Sequence, residues 1–238
     1  MSGPAAPRPR AVLLDVGGIF LAPVHDLILG AFARAGFTPA VEILDRAHYA
    51  GARAFPFGDD EFDWATSWRA YLDGYVTECG TPDELREEVH LHLDSEFSDA
   101  ALWFQELPGS RDGLHALART GVKLGIVSNA DGLIGRRLAE LEILQVGPGV
   151  GVPVECVIDS GAVGVMKPDP RIFHIALDAM GIGAADAWYV GDMPGIDVAG
   201  ARAAGLHPVL MDPYEMHLGA DYARVGSLSE LAAIVGSD

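Results

Sequence analysis

The strongest constraint on the fold is a set of short apolar runs that show no inside–outside alternation and that end on polar residues. Ala11-Val12-Leu13-Leu14 runs into Asp15 and then Val16-Gly17-Gly18. Leu124-Gly125-Ile126-Val127 runs into Ser128-Asn129, and Trp188-Tyr189-Val190 into Gly191-Asp192. A strand that is apolar throughout fits a parallel sheet covered by helices on both faces. Runs at 122–127, 154–158, 187–190 and 207–211 alternate with helical patterns at 111–119, 131–141, 170–180 and 196–204. A last helix is expected at 228–235, opened by Ser227 and Glu230 at capping-box spacing. The fold class is therefore α/β, a doubly wound parallel sheet with a small α-helical domain. Ligands of such sheets bind beyond the carboxyl ends of the strands, where Asp15, Ser128 and Asp192 fall.

The helical domain comes from the stretch between the first strand and the rest. Residues 1–22 and 101–238 are assigned to the α/β core, and 23–100 to an insertion expected to sit over the site. Thr81-Pro82-Asp83-Glu84 reads as an N-cap, a proline in the first turn and a capping acid. Trp64, Trp68, Leu72 and Tyr75 fall on one face of an expected helix over 62–76 and are assigned to core packing. His90 and His92, two apart, are read as a solvated or capping pair rather than metal ligands, and 147–151 (Gly-Pro-Gly-Val-Gly) as a turn.

The chain has 238 residues and a formal net charge of −18. That balance argues against nucleic acid or an anionic membrane surface as partner and favours a protein that gathers a cation and handles small molecules. Two cysteines are too few for a disulfide framework, so the cytoplasm is the expected location. No stretch is apolar enough to span a membrane. Residues 1–10, rich in Pro, Ala and Gly, read as a frayed tail. A monomer or homodimer is expected.

The polar residues at the strand ends make a consistent chemistry. Asp15 is ionised at neutral pH and is a candidate nucleophile. An anionic phosphate repels it unless positive charge is supplied, which Lys167 and a divalent cation would do. Asp192 and Asp197 are hard oxygen donors suited to Mg²⁺. Ser128 and its neighbouring amides are placed to hold a phosphoryl oxygen, with Gly18 and Asn129 assigned to substrate binding. Lysine is scarce, only Lys123 and Lys167 being present, which gives Lys167 weight.

In order and spacing these pieces resemble the haloacid dehalogenase superfamily, whose members are mostly phosphatases. The resemblance covers 11–21 and 101–238, and the insertion resembles that family's mobile cap. It implies that Asp15 is the nucleophile of an aspartyl-phosphate mechanism and that Asp15, the Gly17 carbonyl and Asp192 ligate Mg²⁺. It also implies that Asp197 supports the metal or Lys167, and that the substrate is a small phosphorylated metabolite. Gly17 departs from the family, which usually carries a second Asp there as general acid and base. A substrate with a good leaving group, an acid from the insertion (His25, Asp26, Asp59, Asp60 or Glu61), or a weak catalyst that binds a phospholigand would each account for it. The remaining alternative is a 2-haloacid dehalogenase with Asp15 as nucleophile. Arg34, Arg46 and Arg53 are candidates for its anion-binding arginine.

Overall fold

A computed structural model describes residues 8–56, 63–98 and 102–237. The tail through Pro7 and the candidate acids Asp59, Asp60 and Glu61 lie outside the described residues. The chain divides into two compact units, Met1–Phe20 with Pro108–Asp238, and Leu21–Leu107. Among the described residues no helix is long and apolar enough to cross a membrane. Cys79 and Cys156 are both free and buried.

The first unit begins with β1 (Ala11–Leu14), every residue of which is buried. The chain then enters the second unit through β2 (Leu21–Pro23), followed by α1 (His25–Arg34), α2 (Leu44–Ala54), α3 (Trp64–Glu78) and α4 (Arg86–Phe97). It ends with β3 (Trp103–Glu106), which pairs antiparallel with β2. That two-stranded pair joins entry and exit of the helical segment.

Asp63 caps α3, accepting from the Thr66 amide. The helix buries Tyr71, Leu72 and Tyr75, while Trp64 is 42% exposed. Tyr71 takes the central place because Trp68 stacks on it at 4.7 Å, Phe97 meets it edge-on at 5.5 Å, and His48 Nδ1 lies 2.8 Å from its hydroxyl. The N-cap expected at Thr81 does not form. The chain enters α4 through a 3₁₀ turn, Asp83–Leu85, and the Thr81 hydroxyl is buried without a hydrogen-bond partner. His90 is buried rather than solvated, its Nε2 3.3 Å from the Asp73 carboxylate, and burial holds its pKa below the usual imidazole value.

Back in the first unit follow α5 (Ser110–Arg119), β4 (Lys123–Ser128), α6 (Ile134–Glu140), β5 (Leu144–Val146), β6 (Val152–Val154), β7 (Cys156–Asp159) and α7 (Ser160–Val163). Then come α8 (Pro170–Met180), β8 (Ala187–Gly191), α9 (Ala199–Ala203), β9 (His207–Met211), β10 (Ala223–Val225) and α10 (Leu228–Gly236). The 147–151 turn lies between β5 and β6. Ser227 opens α10 by accepting from the Glu230 amide at 3.1 Å, while the Glu230 carboxylate reaches back to the Gly226 amide at 2.7 Å.

Six strands form the main sheet in the order β10-β9-β8-β1-β4-β7, all parallel. From β1 the chain builds outward on one side through β4 and β7, then returns to β8 on the other side. The order therefore reverses at β1, and its carboxyl end, flanked by those of β4 and β8, is the place for a ligand. One face packs on α8: Ile172, Phe173, Ala176 and Leu177 meet Leu13, Val127, Ile158 and Tyr189 in a single buried cluster.

Candidate active site

Asp15 follows β1 directly. Its amide still donates to the Val190 carbonyl at 2.9 Å, so its position is set by the sheet. In register, Leu14 stands opposite Ile126 and Val190, which brings the ends of β4 and β8 level with Asp15. Ser128 closes β4 and is 5% exposed. One Asp15 oxygen, Oδ2, lies 2.7 Å from Lys167 Nζ. The other, Oδ1, is buried without a hydrogen-bond partner.

Lys167 is reached from a loop held by Asn129. The Asn129 Oδ1 accepts from the Lys167 amide at 2.7 Å, and its Nδ2 donates to the Lys167 carbonyl at 3.0 Å. Asn129 thus engages the protein backbone at both ends of its amide and braces the lysine. The loop after β4 is braced in turn by the end of β7. Asp159 accepts from the amides of Gly132, Ile134 and Gly161, and Ser160 bonds both backbone groups of Ala130. In the sequence Asp159-Ser160 is one more polar pair after an apolar run, the same signal that marks Asp15 and Ser128.

Lys167 Nζ also donates to Asp197 Oδ1 and to the Tyr189 hydroxyl, both at 2.8 Å. Asp197 is fully engaged, its Oδ2 accepting from the Asp192 and Met193 amides at 3.0 and 2.9 Å. Of the two roles implied for Asp197, support of Lys167 is the one these contacts make. Gly191 permits the arrangement, since a Cβ there would lie 2.2 Å from the Asp197 carboxyl carbon. Gly18 has a positive φ of 65°, and its added Cβ would lie 2.4 Å from the Asp192 carboxyl carbon. The turn after Asp15 therefore packs its backbone directly on Asp192, an approach open only to glycine.

Asp15, Asp192 and Asp197 are all buried, and each offers an oxygen within 4.8 Å of those of the others. Three carboxylates gather here, and the one ammonium bonds two of them, Asp15 and Asp197, an excess of negative charge compatible with a cation. Burial raises the Asp15 pKa, Lys167 opposes the rise, Asp197 and Asp192 add to it, and the carboxyl ends near 6. Burial alone would lower the Lys167 pKa, but Asp15 and Asp197 outweigh it and the ammonium is held above its ordinary value. The site is thus a charged lysine between two carboxylates, with a hard, partnerless Asp15 oxygen beside Asp192. A divalent cation fits that donor set.

In the second unit His25 Nε2 lies 2.8 Å from Asp45 Oδ1. Arg34 and Arg46, candidates for a halide or carboxylate site, are instead paired with Glu96 and Glu78.

Comparisons with known proteins place the chain in a family. A family model for haloacid dehalogenase-like hydrolases matches residues 9–205. Over 240 residues the chain is 30% identical to a phosphoserine phosphatase of Thermus thermophilus, covering 94% of this chain and 91% of that one. It spans about half the length of several further curated relatives. Among solved structures, a HAD phosphatase from Thermococcus onnurineus superposes with a TM-score of 0.55 at 21% identity, over 95% of this chain and 97% of that one. A dehalogenase gives 0.57 at 20% identity, over 98% and 100%. Those two likenesses speak for the fold alone. With the family model spanning most of the chain and the Thermus enzyme matching nearly all of it, the chain belongs to the haloacid dehalogenase-like hydrolases.

Proposed function

We propose that the protein is a Mg²⁺-dependent phosphatase of a small phosphorylated metabolite, acting through an aspartyl-phosphate on Asp15. The observation that carries this reading is the split environment of Asp15: one oxygen held by Lys167 at 2.7 Å, the other buried and partnerless beside acidic neighbours. The similarity to a phosphoserine phosphatase over nearly the whole chain supports it. The acidic surroundings favour it over dehalogenation, which needs no cation. Mg²⁺ held by Asp15, Asp192 and the Gly17 carbonyl would offset the negative charge of a phosphoryl group.

The carboxylate of Asp15 attacks phosphorus, and the bond from phosphorus to the leaving oxygen breaks with its electron pair on that oxygen. Water then attacks phosphorus, releasing phosphate and restoring the carboxylate. Lys167 keeps Asp15 ionised and aimed, and Asp197 holds Lys167. Ser128 and the adjacent amides, with Gly18, receive the phosphoryl oxygens. Asn129 serves the same site through the lysine loop. The second unit takes the part of the cap and selects the substrate.

The test is phosphate release from para-nitrophenyl phosphate and acetyl phosphate with and without a chelator. Release that persists undiminished after chelation sinks the metal-dependent reading, and halide release from a 2-haloacid under chelation would establish the dehalogenase in its place. Binding of the ion itself is pH-dependent. Below about pH 6 it must displace a proton from Asp15, so Mg²⁺ affinity is expected to fall about fivefold between pH 6 and 5 and about tenfold between pH 7.5 and 5. Calorimetric titration at pH 7.5 and pH 5 checks this, and equal affinities would remove Asp15 from the ligand set.

Gly17 brings no acid to the leaving oxygen. Gly17→Asp is expected to raise hydrolysis of alkyl phosphate esters about 10²-fold, the lower end of general acid–base help, with little change on acetyl phosphate. An unchanged rate on alkyl esters would mean that another group already supplies the proton.

A further inference from the structure

We propose that Tyr189 is a positioning residue of this site, its hydroxyl fixing the Lys167 ammonium in its alignment with Asp15. Tyr189 lies on β8, 1% exposed, with its ring edge-on to Phe173 at 4.8 Å. Phenylalanine would fill the same place in the apolar cluster and spare the cost of burying a hydroxyl. The hydroxyl therefore has its counterpart in what it touches. It accepts from Lys167 Nζ at 2.8 Å, and its one proton faces the Val127 carbonyl and Asp197 Oδ1, both at 3.1 Å.

An ammonium has three N–H groups. Here they meet Asp15 Oδ2 at 2.7 Å, Asp197 Oδ1 at 2.8 Å and the Tyr189 hydroxyl at 2.8 Å. With the two carboxylates alone, the third N–H would be buried without an acceptor. The Tyr189 hydroxyl supplies it, so the ammonium sits with all three donors met and has no reason to tilt away from Asp15. The Val127 carbonyl ties that acceptor to β4, one residue before Ser128. One hydroxyl thereby connects the end of β4, the lysine loop and the acidic turn after β8. Its role in catalysis rests on the phosphatase reading above; its hold on Lys167 does not.

The test uses Tyr189→Phe, which keeps the ring and removes the hydroxyl. The chain has only two lysines, so ¹⁵N-lysine labelling gives at most two side-chain ammonium signals, and Lys123→Arg assigns them. A sharp, slowly exchanging Lys167 ammonium signal is expected in the wild type. In Tyr189→Phe it should shift and exchange with solvent about tenfold faster or more. In the same variant kcat for phosphate release should fall about tenfold, with KM within about twofold. A purely structural hydroxyl would lower Tm and leave the Lys167 signal and kcat alone.

An unchanged Lys167 signal in the folded variant overturns the hold on Lys167, and a changed signal with an unchanged kcat overturns the catalytic role. Should Tyr189→Phe not fold, the wild type decides. A protected Tyr189 hydroxyl proton with a nuclear Overhauser effect to the Lys167 side chain supports the contact, and its absence overturns it. If the wild type releases no phosphate, the phosphatase reading fails on its own while the ammonium signal still settles the position of Lys167.

Discussion

Asp15→Asn is expected to abolish phosphate release from both para-nitrophenyl phosphate and acetyl phosphate, a loss of about 10⁴-fold or more, while the protein stays folded. The amide keeps the size and shape of the carboxylate but cannot form the acyl phosphate. The effect on stability is small for a physical reason. At neutral pH the wild type holds Asp15 ionised in a buried place, where burial has pushed its pKa up to about 6. A group whose folded pKa is raised stabilises the fold when protonated, and that contribution is lost as pH rises through the folded pKa. Asparagine removes this cost together with the attraction to Lys167, which retains Asp197 and Tyr189 as partners. Unfolding of the variant should therefore come within a few degrees of wild type. Brief exposure of the wild type to labelled acetyl phosphate, followed by acid quench, should leave protein-bound phosphate that hydroxylamine removes, and the variant should show none. Activity within tenfold of wild type would take the nucleophile's role away from Asp15.

The strands near the site were legible because they are buried on both faces. Val12, Leu14, Ile126 and Val190 have no polar alternation to obscure them, and each run stops where the chain leaves the sheet. The order of Asp15, Ser128, Lys167 and Asp192 carried the rest, because a doubly wound sheet brings those ends together at one switch point. What was not legible depends on partners distant in sequence. Asn129 reads as a turn or a substrate contact until its amide is found on both backbone groups of Lys167, 38 residues on. Tyr189 is lost inside an apolar run, although a tyrosine in a strand buried on both faces implies a partner for its hydroxyl. β10 is three residues at the sheet edge, too short and too polar to stand out. Thr81 has the right spacing for a cap, but the helix begins through a 3₁₀ turn that takes its first amides out of reach.

Lys167→Met should cost about 3–5 kcal/mol of folding stability near pH 8, and much less near pH 5. Lys167 is 2% exposed and is the ammonium bonded to both Asp15 and Asp197. Methionine matches its length and fills the space, so packing is kept and the electrostatic change dominates. Two buried carboxylates are then left facing each other without their cation, and the charged forms become costly. The Asp15 pKa rises further, since the lowering influence of Lys167 on it is gone. Acid then favours the folded variant: protonation of Asp15 removes the repulsion, so the deficit shrinks as pH falls through its raised value and grows as pH rises. Urea unfolding of wild type and variant at pH 5, 6.5 and 8 measures this directly, and a deficit independent of pH would show that lost packing, not charge, is responsible. Lys167→Arg should not restore the wild type. A planar guanidinium cannot direct three donors from one nitrogen toward Asp15, Asp197 and Tyr189. If Mg²⁺ binds as proposed, it should recover part of the stability lost in Lys167→Met, because it would supply positive charge beside Asp15 and Asp192, whereas activity should stay low without the group proposed to aim the nucleophile. That separation of stability from turnover distinguishes a lysine needed for its geometry from one needed only for its charge.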